Sequence, residues 1–85
     1  MPIISRFYGI SILMYFLDHN PPHLHVKYSG FEAVYSLSGS KLAGYIPLRA
    51  ESLVLQWLDE RQTDLQDNWT RAVRGEPLLY IQPLE

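Results

Sequence analysis

The sequence predicts an α+β domain, an antiparallel sheet of three to four strands followed by two helices packed on one face of it. Two observations carry this. Apolar residues recur with a period of two across much of residues 10–46 and change to helical spacing from Leu48 onward. The strands also come as one run and the helices as another, an order that segregates helices to one side of a sheet instead of building alternating βα units. A chain of 85 residues has room for one core only, so residues 1–85 are read as a single domain. A hydrophobic fraction of 47% and an aromatic fraction of 13% belong to a chain that folds.

The elements follow in order. Residues 10–16 are short, largely apolar and rich in β-branched and aromatic side chains, and Asp18 to Pro22 ends them, which reads as a buried strand. Residues 23–28 alternate, with Leu24, Val26 and Tyr28 apolar, and residues 31–37 alternate again through Phe31, Ala33, Tyr35 and Leu37. Ser29-Gly30 closes them into a hairpin. A two-residue loop pairs Tyr28 with Phe31, Val26 with Ala33 and Leu24 with Tyr35, whereas a three-residue loop sets Phe31 against Lys27, so the hydrophobic pattern selects the shorter loop. That register also places Lys27 across from Glu32. Residues 42–46 form a fourth strand in which Gly44 marks a bulge or a close backbone approach, and Pro47 ends it.

Helical spacing then takes over. Ala50, Leu53, Val54, Trp57 and Leu58 make the apolar stripe of a helix over 48–61, and Leu65, Trp69, Ala72 and Val73 that of a second over 64–74. Thr63 and Gln66 fit a capping box, and Gly75 with Pro77 supplies the stop. Both tryptophans are placed in the core, facing the sheet. Residues 78–84 are apolar enough to lie against that core as a short strand before Pro83.

Composition also excludes functions. The chain has no cysteine, so neither a disulfide framework nor a thiolate metal site is available, and cytoplasmic localisation, in a reducing compartment, is expected. No apolar run approaches the roughly 20 residues of a membrane span, and the N-terminal residues lack the pattern of a secretory signal. A net charge of −2 with scattered cations disfavours a purely electrostatic nucleic-acid binder.

The unusual chemistry is concentrated in Asp18-His19-Asn20-Pro21-Pro22-His23-Leu24-His25, which holds all three histidines of the chain. On a strand His23 and His25 project from one face, and Pro21 and Pro22 stiffen a turn that brings His19 towards them. Three imidazoles suit a divalent transition metal such as zinc, with Asp18 or Glu32 available as further ligands. Without a metal, paired imidazoles can take and return a proton, as in cleavage of RNA by its own 2′-hydroxyl, with Lys27, Arg6 or Arg49 meeting phosphate. The ordinary structural alternative has these rings hydrogen-bonded to Asp18 and to backbone around a rigid turn. Met1-Pro2 adds a minor option, a terminal secondary amine acting as a base.

Met1-Pro2-x-Ile4-Ser5-Arg6-Phe7-Tyr8-Gly9-Ile10, Met14-Tyr15, Asp18 to His25, Pro47-x-Arg49, Trp57, Asn68-Trp69, Gly75 to Leu78 and the closing Ile81-x-Pro83-Leu84 together carry a resemblance. They are similar to a small bacterial family, domain of unknown function 4160, over essentially the whole chain, with Asp-His-x-Pro-Pro-His-x-His as the most specific part. Leu24 stands where that family usually has Phe and leaves the histidines in place. The resemblance attaches no firm activity. It implies a gene neighbour, commonly a protein of domain of unknown function 2442, and hence a two-gene module of toxin–antitoxin type. The leading expectation is therefore a component that binds the small protein encoded beside it through a polar sheet face bearing His23, His25, Lys27 and Glu32. The rivals are a His-dependent, metal-assisted hydrolase or ribonuclease using His19, His23 and His25, with RNA as partner, and a structural adaptor without an active site.

Overall fold

The computed structural model describes residues 2–85, so Met1, and with it the Met1-Pro2 start, lies outside the described residues. Five strands, β1 (Ile3–Phe7), β2 (Ile10–Leu13), β3 (His23–Tyr28), β4 (Phe31–Ser36) and β5 (Lys41–Tyr45), precede α1 (Leu48–Glu60) and α2 (Gln62–Val73). The strands lie side by side in chain order and every neighbouring pair is antiparallel. The α+β class holds, but the sheet has five strands instead of three to four.

The additional strand is β1. Its alternation is broken by a register shift between Ile3 and Ser5, which leaves both Ile4 and Ser5 buried and hides the period of two. The hairpin to β2 turns through Tyr8 and Gly9, both at positive φ. That geometry matches strand twist, but it is ordinarily written Asn-Gly or Asp-Gly. β2 is shorter than the 10–16 read from the sequence, because the chain leaves the sheet after Leu13 although Met14 remains fully buried. The expected strand in the tail does not form. Instead the Ile81 N–H donates to the Ile4 carbonyl at 2.7 Å, and the Asn68 amide donates to the Leu79 carbonyl and accepts from the Leu79 N–H. The tail thereby covers the outer edge of β1.

The central hairpin has the register that the alternation selects. Tyr28 faces Phe31, Lys27 faces Glu32, Val26 faces Ala33 and Leu24 faces Tyr35, with Ser29 and Gly30 both at positive φ in the turn. Its core-facing residues join Ile10 and Ile12 of β2 and the stripes of both helices in one cluster that contains Trp57 and Trp69. Trp57 is fully buried, 5.4 Å from the Phe7 ring, and its indole N–H donates to the Gln82 carbonyl. The second stripe is shorter than expected, since Val73 is 47% exposed.

The helices meet at Arg61, whose N–H still bonds to the carbonyls of α1. α2 accordingly starts at Gln62, and the expected capping box at Thr63 makes no side-chain cap. Gln62 instead donates to the Leu37 and Leu58 carbonyls, tying the junction to the end of β4. At the other end Gly75, at φ 71, closes α2 with Gly75 N–H to Ala72 and Glu76 N–H to Arg71, a Schellman arrangement.

Gly44 meets both parts of its expectation. Leu42 is the extra residue where the β4–β5 pairing shifts, and Gly44, at φ 76, lies so close to β4 that a Cβ there would stand 2.8 Å from Ala33 Cα and nearer still to the Glu32 carbonyl. Gly30, at φ 86, has nothing within 4 Å of such an atom. Gly44→Ala is therefore expected to lose about 2–4 kcal/mol, the left-handed strain plus overpacking, and Gly30→Ala only about 1–2 kcal/mol. Urea denaturation of the two variants measures the difference.

Candidate metal centre

Residues 14–22 connect β2 to β3 without regular structure, and hydrogen bonds fasten them at both ends. Leu17, at φ 54, donates its N–H to the Ala72 carbonyl at the end of α2, and the Pro22 carbonyl accepts the Leu37 N–H. The Asn20–Pro21 peptide bond is cis. The loop delivers Asp18 to the start of β3, where His23 is the first residue.

His23 is 8% exposed and both its ring nitrogens face acceptors. Nδ1 is 2.7 Å from the Pro21 carbonyl, which can only accept, so Nδ1 carries a proton. Nε2 is 2.9 Å from Asp18 Oδ2. A ring protonated at this nitrogen as well donates to the Asp18 carboxylate. The other Asp18 oxygen accepts the His19 N–H at 2.9 Å. Burial is the largest influence on the Asp18 carboxyl and opposes its ionisation. The His19 N–H and the charges and hydrogen bond of His23, with a smaller contribution from His19, together outweigh it, and the carboxyl is held below its ordinary value.

His25 lies on the same sheet face, between Leu13 and Val34, its ring 5.5 Å from that of His23 and edge-on to Tyr15 at 4.5 Å. Burial, reinforced by the neighbouring His23 charge, lowers its pKa, so a neutral imidazole with a free lone pair is favoured. One ligand atom each from Asp18, His23 and His25 falls within 4.8 Å of the other two, a group able to hold a metal ion. In His23 the Nδ1–H to backbone bond fixes the tautomer that leaves Nε2 as the ligand, the usual outer support of a metal-bound imidazole.

The other residues singled out in the sequence are distributed as follows. The His19 side chain is 89% exposed, its Nδ1 3.1 Å from Asp18 Oδ1, and it does not belong to the converging group. Lys27 and Glu32 lie one row further along the sheet, paired at 3.3 Å, and Glu32 is likewise outside the group. Arg49 belongs to the first turn of α1 and lines a cleft with Tyr8 and Tyr28, at the opposite end of β3 from His23. Sequence reasoning ranked Asp18 below His19 as a ligand and missed the contact of His23 with Trp69, whose rings are 5.4 Å apart. The signal for Asp18 was its place at the head of the histidine run.

Fold and cluster together define a small α+β domain with a His/Asp group at the end of a five-stranded meander. The chain belongs to the family described as domain of unknown function (DUF4160), whose model matches residues 9–70, well over half of it. No curated protein and no solved structure matches it.

Two groups set the acid limb of stability. The fold favours neutral His25, so its contribution is complete above the ordinary value of 6.5 and is lost as pH falls below that towards the lowered value. The Asp18 contribution is complete above 3.8 and disappears as pH falls through the lowered carboxyl value. Urea midpoints are expected to drop on acidification in two stages, the upper flattened by His25→Gln and the lower by Asp18→Asn. At neutral pH Asp18→Asn is expected to cost about 1.5–3 kcal/mol, the range for a hydrogen bond to a charged group.

Proposed function

We propose that this domain binds a divalent transition metal such as zinc through Asp18, His23 and His25, and that the centre serves metal-assisted hydrolysis. The observation that supports the reading is the convergence of the three ligand atoms, with the His23 ring already oriented by the Pro21 carbonyl. Two imidazoles and a carboxylate are a donor set used by catalytic zinc and non-haem iron, and three protein ligands leave a position open for water. A metal held there would lower the pKa of a bound water and so supply a nucleophile. His19, exposed and tethered to Asp18, stands where it can exchange a proton between such a centre and solvent. A proton held between His23 Nε2 and Asp18 would be released on metal uptake.

Calorimetric titration with zinc of protein carrying no added histidine tag is expected to give one site per chain. Asp18→Ala, His23→Ala or His25→Ala weakens it at least about tenfold, and His19→Ala leaves it nearly unchanged. Absence of saturable binding, or equal binding by the His25 variant, overturns the metal assignment. RNA is the first substrate to try: degradation by zinc-loaded wild type but not by His23→Ala supports hydrolysis, and histidine variants that alter only stability favour an adaptor instead.

A second reading has a specific observation of its own. Beside the centre, Phe16, Leu17 and Val73 expose 44%, 74% and 47% of their surfaces, apolar area of the kind that marks protein contacts. This favours a protein contact, and the occupant we propose is a small protein encoded alongside, in a cytoplasmic two-gene module of toxin–antitoxin type. Co-purification with that gene product, lost in Leu17→Asp, is expected together with slowed growth on overexpression. No complex and unchanged growth dispose of this reading.

A further inference from the structure

At the other end of the sheet, about 17 Å from His23 and about 10 Å from His25 by the rise of five and three residues along β3, lies a separate cleft. Its volume is about 350 Å³, within the range of small-molecule sites. Tyr8, Tyr28, Leu53 and Leu84 give it apolar walls, Arg49 lines it, and Glu85 contributes an acidic residue.

The chemistry of the lining restricts the occupant. The Arg49 guanidinium makes no hydrogen bond or ion pair with any described residue, while its carbonyl accepts from the Ser52 hydroxyl. An exposed arginine without a partner is ordinary, but this one lies against an aromatic, apolar hollow, where a planar fork of donors matches a carboxylate. Tyr8 supplies the second constraint. It occupies the first turn position of the β1–β2 hairpin at φ 49, where asparagine or glycine is the favoured residue, and 60% of its surface is exposed at the mouth of the cleft. A strained, exposed tyrosine contributes little to the core, and its ring is available to pack against a ligand in the cleft. The Tyr28 ring lies behind the same turn, 3.7 Å from where a Cβ on Gly9 would be. The acidic Glu85 opposes a doubly charged anion more than a singly charged one.

We propose that this cleft binds a small ligand made of a flat apolar ring bearing one carboxylate, with Arg49 pairing the carboxylate and Tyr8 and Tyr28 contacting the ring. The site is distinct from the metal centre and does not depend on it. Such a ligand can be a free aromatic acid or the terminal aromatic residue of a peptide. Titration with indole-3-acetate and with N-acetyl-L-tryptophan, followed by NMR shifts, separates these sources, and benzamidine, a flat cation, is the control.

Saturable binding of at least one carboxylate is expected, with shifts centred on Tyr8, Arg49 and Leu53. Arg49→Gln weakens it about tenfold or more. Tyr8→Asn gives a signature that a merely structural role does not: it relieves the turn and raises the thermal midpoint while lowering affinity. Preference for indole-3-acetate identifies a free acid, and preference for N-acetyl-L-tryptophan a chain end. No saturation by either carboxylate, benzamidine binding as tightly, or affinity unchanged in both variants overturns the proposal.

Discussion

A single imidazole, that of His23, holds the histidine-bearing end of the molecule together. It is nearly buried, it bonds to the Pro21 carbonyl on one side and to Asp18 on the other, and its ring meets Trp69 of the core. A buried ring with an unsatisfied nitrogen is costly, so this position demands two acceptors, and the irregular loop exists in the shape that supplies them. Removing either acceptor leaves a polar nitrogen facing protein instead of water. The loop also draws on Leu17 bonding to α2 and Pro22 bonding to Leu37, which means that the site is braced by an element on each side of it. The same geometry serves a proton or a metal, because what lies between His23 Nε2 and Asp18 is in either case a positive charge shared by a nitrogen and a carboxylate.

The sheet separates the two ends of the molecule and manages its own edges. β1 is covered by the tail through Ile81. Among the described residues β5 has no further strand beside it and is exposed along its whole length, yet it is a poor template for another chain. The extra Leu42, the positive φ of Gly44 and the charge of Lys41 all disrupt a regular row of donors and acceptors. The two-residue hairpin turns at Tyr8-Gly9 and Ser29-Gly30 lie at the end away from the histidines, and so does the start of α1, which is why the tyrosines and Arg49 gather there.

What the sequence made legible followed from unbroken periods. The β3–β4 register was readable because every core-facing residue of both strands is apolar and only one loop length keeps them together, and the Lys27–Glu32 pair falls out of it. The two helices were readable from stripes ending in tryptophan and leucine. β1 was not, since its bulge at Ile4 places consecutive residues in the core and its turn uses tyrosine where the local code has asparagine. β2 was overextended because Met14 is buried like a strand residue while its backbone has already left the sheet. In the candidate site, the shared face of His23 and His25 was a matter of strand period and could be read. The exchange of His19 for Asp18 depends on how the loop folds back over five residues, and no period encodes that.

The arrangement also decides which chemistry can use the cluster. Acid–base catalysis by a bare histidine pair needs two rings with a nitrogen free for substrate, and His23 has none, since both are committed to Pro21 and Asp18. It needs a cation for the phosphate too, and of the three singled out Lys27 is paired with Glu32, Arg49 lines the cleft at the far end of β3, and Arg6 stands on β1, two strands from the histidines. A metal would meet both needs at once, with His23 Nε2 and Asp18 as ligands and its own positive charge at the site. The hydrogen bonds that occupy both nitrogens of His23 are those that would orient its ring for a metal.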